Sequence, residues 1–412
     1  MRAATRGNAA CNDVAVSSSP TQQASQRSES RIGDPQTTRA PRLLVVSHPA
    51  VVSVNQEVYR ELQQRGWQVT IVLPSRWRSE YSDRDMEPQV LDGMGSTLRR
   101  TPVALRGRPQ RHFYLASCRA LAARADPDVA FVEAEPFSLS AMQWSRALTR
   151  LRVPFGVQCA ENIDRSLPIP VRMLRSRVLR EASFVATRSD SATRLARAWG
   201  ASGDVALAPH AVPSWKTVPL RRERPFTIGY AGRLVPSKGL MDLLAAVRRL
   251  AAPVELLLIG DGELRPQLQG QPIPGSRVSV LDGVSHDDMA SAYAKLDVLA
   301  LPSHTTPTWK EQFGRVIVEA LWCGVPVVGS DSGEIPWLIE LTGGGLVFPE
   351  GDPAALADRL NVLRTQPELR EQLARRGREV VAEHFSVPAA TDALERLLVG
   401  AASPHPPADD HR

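Results

Sequence analysis

Glu311 and Glu319 stand eight residues apart in the stretch SHTTPTWKEQFGRVIVEALWCGVPVVGSDSGEIPWLI, residues 303–339, with Gly314 and an apolar run between them. If that run is helical, eight positions advance about 12 Å along the axis and just over two turns around it, so both carboxylates face roughly one side. A nucleotide diphosphate sugar spans such a gap. Glu311 can accept from sugar hydroxyls and Glu319 from ribose hydroxyls, while the diphosphate lies against the free amides that open the helix near Phe313 and Gly314. Taken alone, the same spacing also reads as a first-turn acid favoured by the helix dipole at Glu311 and a solvated surface charge at Glu319.

The flanking residues add weight to the first reading. Gly324-Val325-Pro326-Val327-Val328 is a helix stop feeding a buried strand, and Gly333-Glu334-Ile335-Pro336 is another turn of free amides at a helix start. Upstream, Ala231-Gly232-Arg233-Leu234-Val235-Pro236-Ser237-Lys238-Gly239 reads as a strand-to-helix loop with two cations. Gly232 lets the backbone approach a ligand closely, and Arg233 and Lys238 can converge on a diphosphate. In isolation such a loop is two exposed cations. Gly260-Asp261-Gly262-Glu263 reads either as a plain connector or as a ligand contact.

The segment EQFGRVIVEALWCGVPVVGSDSGEIPWLI resembles the signature of family 4 retaining glycosyltransferases of the GT-B fold and E-x7-E type, and GRLVPSKG resembles that family's diphosphate clamp. The resemblance is specific over about residues 226–350 and looser over 41–213. It implies an α/β chain with two Rossmann-like doubly wound domains facing across a cleft. It implies a nucleotide diphosphate sugar as donor, a hydroxyl acceptor, and Arg233, Lys238 and Glu311 as catalytic groups. Gly232, Val284, Phe313, Gly314 and Glu319 would complete the donor site, with Gly283-Val284-Ser285 holding the base through backbone groups. No metal or other cofactor is expected, because two cations serve the diphosphate and no Asp-x-Asp dyad is placed to hold one.

Two departures from the family pattern concern the first half. The Ser47-His48-Pro49 turn lacks the double glycine that relatives often carry. Glu135-Pro136 resembles the end of a His-Glu-Pro element with which relatives place a histidine over the donor sugar, but the matching residue is Ala134. His48 or His210 is then either a substitute imidazole or an ordinary loop histidine. Two rivals to a transferase follow: a nucleotide-sugar 2-epimerase with the same fold and donor, and a non-catalytic donor-binding subunit of a glycan assembly complex.

These elements need a long chain, and 412 residues at 43% hydrophobic composition suffice for two domains with sizeable cores. Net charge +6, a pI near 9.4 and mean hydropathy −0.20 indicate a globular protein that meets polyanions. Nucleic acid is the least supported partner and none is expected, since no zinc knuckle, basic helix or aromatic RNA-binding signature is present. No apolar run reaches the length of a membrane span. Cys11, Cys118, Cys159 and Cys323 have no metal-like spacing and read as reduced structural thiols. The expected location is cytoplasmic, with room for peripheral contact at the inner face of the membrane.

Residues 1–40, rich in Ser, Thr, Gln and Arg, read as a disordered tail, as do 401–412. An acceptor domain is expected over 41–213, with strands at 42–47, 68–73, 128–132, 153–158 and 184–187 and helices at 52–65, 170–182 and from 191. Ligands sit beyond the carboxyl ends of such strands, which singles out the loops at Ser47, Glu133, Ala160 and Arg188. His48, Glu135, Glu161 and Asn162 are the acceptor-side candidates there, with helix capping the alternative for the last two. Arg172, Arg175, Arg177 and Arg180 alternate with apolar residues in VRMLRSRVLREA, which suits either an anionic membrane or one core face and one solvated face. A linker is expected at 214–225, then a donor domain over 226–385 with strands at 226–230, 255–259, 278–281 and 297–301 and helices at 353–365 and 369–383. The helix expected at 386–400 crosses back onto the first domain.

Overall fold

The computed structural model describes residues 39–78, 85–216, 218, 225–251, 253–269, 271, 273–281 and 284–403. Most of the two expected tails, most of the linker and Gly283 lie outside them. Apolar runs make the strands: Leu43 to Val46 and Val129 to Val132 are buried on both faces, as aliphatic runs without a polar face require. Seven parallel strands form the first sheet: β1 (Arg42–Ser47), β2 (Gln68–Pro74), β3 (Leu98–Thr101), β4 (Val129–Glu133), β5 (Phe155–Cys159), β6 (Phe184–Thr187) and β7 (Asp204–Leu207). Their order is β7-β6-β5-β4-β1-β2-β3. Six more form the second: β8 (Thr227–Ala231), β9 (Glu255–Ile259), β10 (Arg277–Leu281), β11 (Val298–Leu301), β12 (Val327–Ser330) and β13 (Gly345–Phe348), in the order β10-β9-β8-β11-β12-β13. In each sheet the order reverses beside the first strand, β1 or β8, and the crevice at that reversal is where doubly wound sheets take ligands.

Three edge or near-edge strands, β3, β7 and β13, escape the sequence reading, and the reason is their mixed exposure. Asp204–Leu207 has no buried residue and Gly345–Phe348 has one, so neither shows the apolar run of an inner strand. The helix expected over 52–65 is shorter than the sequence suggests. Short 3-10 turns occupy Pro49–Val51 and Ser53–Gln56, Val52 is extended, and the helix proper is Glu57–Gln64. Side-chain amides compete with helical bonds there: Asn55 donates to the Pro49 carbonyl at 2.8 Å and Gln56 to the Ala50 carbonyl at 2.7 Å.

Helix Val387–Ala402 follows the helices of the second lobe yet packs its Leu394, Leu397 and Leu398 into the core of the first. Arg65 ties it down with ion pairs to Asp392 at 2.5 Å and Glu395 at 2.8 Å, and Trp67 Nε1 donates to Glu395 at 2.8 Å. The described residues from Pro41 to Ser403 thereby form one compact unit. The carboxyl ends of the two sheets meet directly: Arg315 donates to Asn55 at 2.9 Å, and the Asn162 amide donates to the Glu311 carbonyl at 2.7 Å.

Candidate active site

The loop after β8 is fixed from below. Tyr230 Oη donates to the Arg233 carbonyl at 2.7 Å, and the Gly232 and Leu234 amides donate to the Ile259 and Asp261 carbonyls. A 3-10 turn, Pro236–Lys238, ends at Gly239, whose φ of +65° suits glycine. A Cβ at 239 would sit 1.8 Å from the Pro302 carbonyl oxygen, so the absence of a side chain lets this loop pack on the loop after β11. That packing places Lys238. Its ammonium meets Glu311 Oε2 at 2.6 Å, with both side chains 12% exposed, and lies over the Trp309 ring at 4.3 Å. Ser303 donates to the same carboxylate oxygen at 3.1 Å. Arg233, in the same loop and partly exposed, has no hydrogen-bond or ion-pair partner among the described residues. An ammonium, a free guanidinium and a carboxylate therefore lie on two adjoining loops, a combination suited to an anion carrying hydroxyls.

Two expectations for Glu311 and Glu319 are corrected. Glu311 lies in the loop, because the helix spans only Arg315–Trp322 and Gly314, at φ +75°, is its left-handed N-cap. Glu311 is thus no first-turn acid, and the seven intervening residues are not one helix. The loop still presents open donors, since the Phe313 and Gly314 amides bond to no backbone or side-chain acceptor among the described residues. Phe313 turns its ring inward against His210 and Phe385. Glu319 is no solvated charge: it is 5% exposed, accepts from Tyr293 Oη at 2.9 Å and pairs with Arg315 Nε at 3.1 Å. Burial pushes its carboxyl above the ordinary range, against the pull of Arg315 and Tyr293. Val284 packs beside the second core, partly buried.

At the carboxyl ends of the first sheet the groups are more deeply enclosed. Glu133 accepts from Ser47 at 2.6 Å, Tyr59 at 2.7 Å and Arg188 at 2.8 Å, and Arg188 also donates to Gln158 and the Ala208 carbonyl. Sequence reasoning flagged the Glu133 and Arg188 loops without seeing that they pair, since 55 residues separate them. Arg315 was missed too, although an Arg four residues before Glu319 on a helix is a readable pair. His48 packs its ring against Trp77 and His112, and burial lowers its pKa to about 3. His210 is driven well below the usual imidazole value by burial and by the nearby Arg188 and Arg315 guanidiniums. Glu135 accepts from the Ala160 amide at 2.8 Å, and burial with the Glu161 charge pushes it up to about 8. Glu161, 1% exposed, accepts from the Asn162 and Ile163 amides and pairs with Arg165 at 2.8 Å; the segment is a loop ahead of the helix Ile169–Glu181, so the helix-capping alternative does not apply.

The structure therefore brings Lys238, Glu311 and Asn162 together, with Glu161 beneath Asn162. Glu135 adjoins this group through the Ala160 amide, whereas Glu319 and His48 make their bonds and ring contacts elsewhere. Cys118, Cys159 and Cys323 are buried free thiols. Among the described residues no cluster of three His, Cys, Asp or Glu side chains is placed to hold a metal, and no helix is long and apolar enough to cross a membrane.

Two parallel α/β sheets with polar groups at facing carboxyl ends define a GT-B architecture. Sucrose-phosphate synthase from Thermosynechococcus elongatus superposes with a TM-score of 0.64 at 18% identity, over 88% of this chain and 100% of that one. HepE from Anabaena, solved in complex with UDP-glucose, gives 0.64 at 19% identity over 87% and 99%. Residues 50–210 match the family model described as glycosyl transferase 4-like domain, and residues 212–380 that described as glycosyl transferases group 1. Among curated proteins the chain is 30% identical to alpha-D-kanosaminyltransferase of Streptomyces kanamyceticus over 178 residues, 42% of this chain and 45% of that one. It is 34% identical to phosphatidyl-myo-inositol mannosyltransferase of Mycobacterium leprae over 165 residues, 38% and 42% of the two chains. The chain thus spans less than half the length of these curated relatives. The two family matches and the fold together support a glycosyltransferase of the GT4 kind.

Proposed function

We propose that this protein is a retaining, metal-independent glycosyltransferase that moves a sugar from a nucleotide diphosphate sugar to a hydroxyl acceptor in polysaccharide or glycolipid assembly. The observation that carries the reading is the Lys238–Glu311 pair on two adjoining loops that also carry Arg233, unpaired among the described residues, and the open amides of Phe313 and Gly314. As the anomeric bond breaks, negative charge grows on the diphosphate, and these cations and amides stabilise it; one such preorganised donor is commonly worth about 10² to 10³ in rate. Glu311 accepts from the sugar's hydroxyls, and the leaving phosphate oxygen takes the proton of the incoming acceptor hydroxyl on the same face. No side-chain base is then required, so Ala134 is compatible with turnover. Glu319, buried beside Arg315, orients the groups near the ribose.

The protein would act in the cytoplasm. On the first lobe Ile169 and Met173, 64% and 67% exposed and one turn apart, lie on one helix with Arg172, Arg177 and Arg180, a surface suited to an anionic membrane carrying a lipid-linked acceptor.

The test is a thermal-shift panel with UDP, GDP, ADP and TDP and their common sugars, run on wild type and Lys238→Ala. A ligand at a hundred times its dissociation constant adds about 2.7 kcal/mol to the folded state. A shift with one nucleotide, lost in the variant, is expected, together with transfer from that donor when an acceptor is supplied. No shift with any nucleotide sinks the donor assignment, and epimerised donor without an acceptor would replace transfer by isomerisation.

A further inference from the structure

Asn162 stands at the end of β5 on the first lobe and bonds to the second. Its Nδ2 donates to the Glu311 carbonyl at 2.7 Å, and that carbonyl also accepts from the Glu334 amide at 3.0 Å. The side chain is held rigidly for this. Glu161 accepts from the Asn162 amide at 3.2 Å and the Ile163 amide at 3.1 Å, and Arg165 locks the Glu161 carboxylate at 2.8 Å. Asn162 is 4% exposed, yet its Oδ1 is buried with no hydrogen-bond partner among the described residues. Rotating the amide would set Oδ1 against the Glu311 carbonyl oxygen, two acceptors face to face, so the observed orientation is the consistent one. An unpartnered buried acceptor beside a bonded donor is an unfilled half of an amide, and buried acceptors are otherwise nearly always paired.

We propose that Asn162 is a positioning residue that joins the two lobes at the site. Its N–H holds the main chain of Glu311, and hence the Glu311 carboxylate and Lys238, in register, while its Oδ1 accepts a hydrogen bond from a substrate hydroxyl. The donor's contacts with the second lobe are then organised only when the first lobe has closed on them. A residue of this kind acts through geometry: a displacement near 1 Å at the reacting groups costs about 10²-fold in rate. This inference rests on the transferase reading of the same site.

The experiment compares Asn162→Ala, which loses both halves of the amide, with the isosteric Asn162→Asp, which keeps an acceptor oxygen and loses the N–H. Nucleotide binding is measured by calorimetry on each, turnover with donor and acceptor varied separately, and thermal midpoints confirm that both fold. With wild type binding the nucleotide, kcat is expected to fall about 100-fold in both variants while the nucleotide's dissociation constant stays within about threefold. The Michaelis constant of whichever substrate supplies the hydroxyl should rise further in Asn162→Ala than in Asn162→Asp, and whether it is the donor's or the acceptor's constant names that substrate. A wild-type kcat in Asn162→Asp overturns the positioning role, and equal Michaelis constants in the two variants overturn the hydroxyl contact. Absence of nucleotide binding in the wild type would instead defeat the transferase reading, a result distinct from either.

Discussion

At the carboxyl ends of the second sheet, Lys238 and Glu311 pair on loops where each side chain keeps 12% of its surface in solvent, and Arg233 on the same loop as Lys238 has no partner among the described residues. At the corresponding ends of the first sheet, Glu133 and Arg188 pair at 7% and 10% exposure, with Ser47, Tyr59 and Gln158 taking up further bonding capacity. Both are ion pairs of similar length, 2.6 and 2.8 Å. Their surroundings assign them different work. The enclosed pair has its charges matched by fixed protein groups, so it specifies how β1, β4 and β6 end. The open pair stands beside unspent donors and cations, which leaves it able to exchange partners with a ligand.

Breaking the enclosed pair should have the larger effect on stability. Glu133→Ala leaves the Arg188 guanidinium buried without its carboxylate, and removing one partner of a buried pair costs about 3–5 kcal/mol. Urea unfolding of the variant should show this loss, and a loss under about 1 kcal/mol would place Glu133 with the exposed pairs instead. Lys238→Ala should behave oppositely, with little change in the unfolding midpoint and turnover down about 10² to 10³-fold. A Lys238→Ala protein that loses stability as heavily as Glu133→Ala would erase the distinction between the two ends.

Glu319 sharpens the comparison because it belongs to the second lobe yet is as enclosed as Glu133, at 5% exposure with Tyr293 and Arg315 as partners. Glu319→Gln keeps an acceptor for Tyr293 and loses the charge facing Arg315. If the carboxylate also serves the ribose, the donor's Michaelis constant should rise about tenfold, equivalent to about 1.4 kcal/mol. An unchanged constant with a lowered unfolding midpoint would make Glu319 a structural counterpart of Glu133.

The same contrast explains what the sequence made legible. The inner strands and the two site loops of the second sheet are contiguous in the chain: Gly232 through Gly239 and Glu311 through Gly314 carry their own turn chemistry, so residue type and spacing, together with the resemblance to the family signature, singled out both loops. Helix length was overread at Glu311, since a left-handed Gly314 separates it from the helix, and a glycine in sequence does not announce its φ. The first lobe's polar groups depend on partners far away in the chain. Glu133 finds Ser47 at a separation of 86 residues, and Asn162 reaches Glu311 across 149. No periodicity encodes such meetings; they follow from strand order and from closure of the lobes. Edge strands such as β7 were unreadable for a third reason, a half-exposed pattern that loops share.

A pH series tests how dry the first lobe's strand ends are. Glu135 has one carboxylate oxygen on the Ala160 amide and the other buried without a hydrogen-bond partner among the described residues, and its folded pKa is pushed from 4.5 up to about 8. The folded state therefore holds a proton that the unfolded chain releases at lower pH. A group shifted in this direction contributes stability that is fully present below its unfolded pKa and lost as pH rises through the folded one. Glu135→Gln mimics the protonated form at every pH. The wild type should match this variant's unfolding midpoint near pH 4.5 and fall progressively below it as the pH approaches about 8, beyond which the gap stops widening. Midpoints that run parallel for the two proteins across this window would mean that water reaches Glu135, and that the first sheet's carboxyl ends are as open as those of the second.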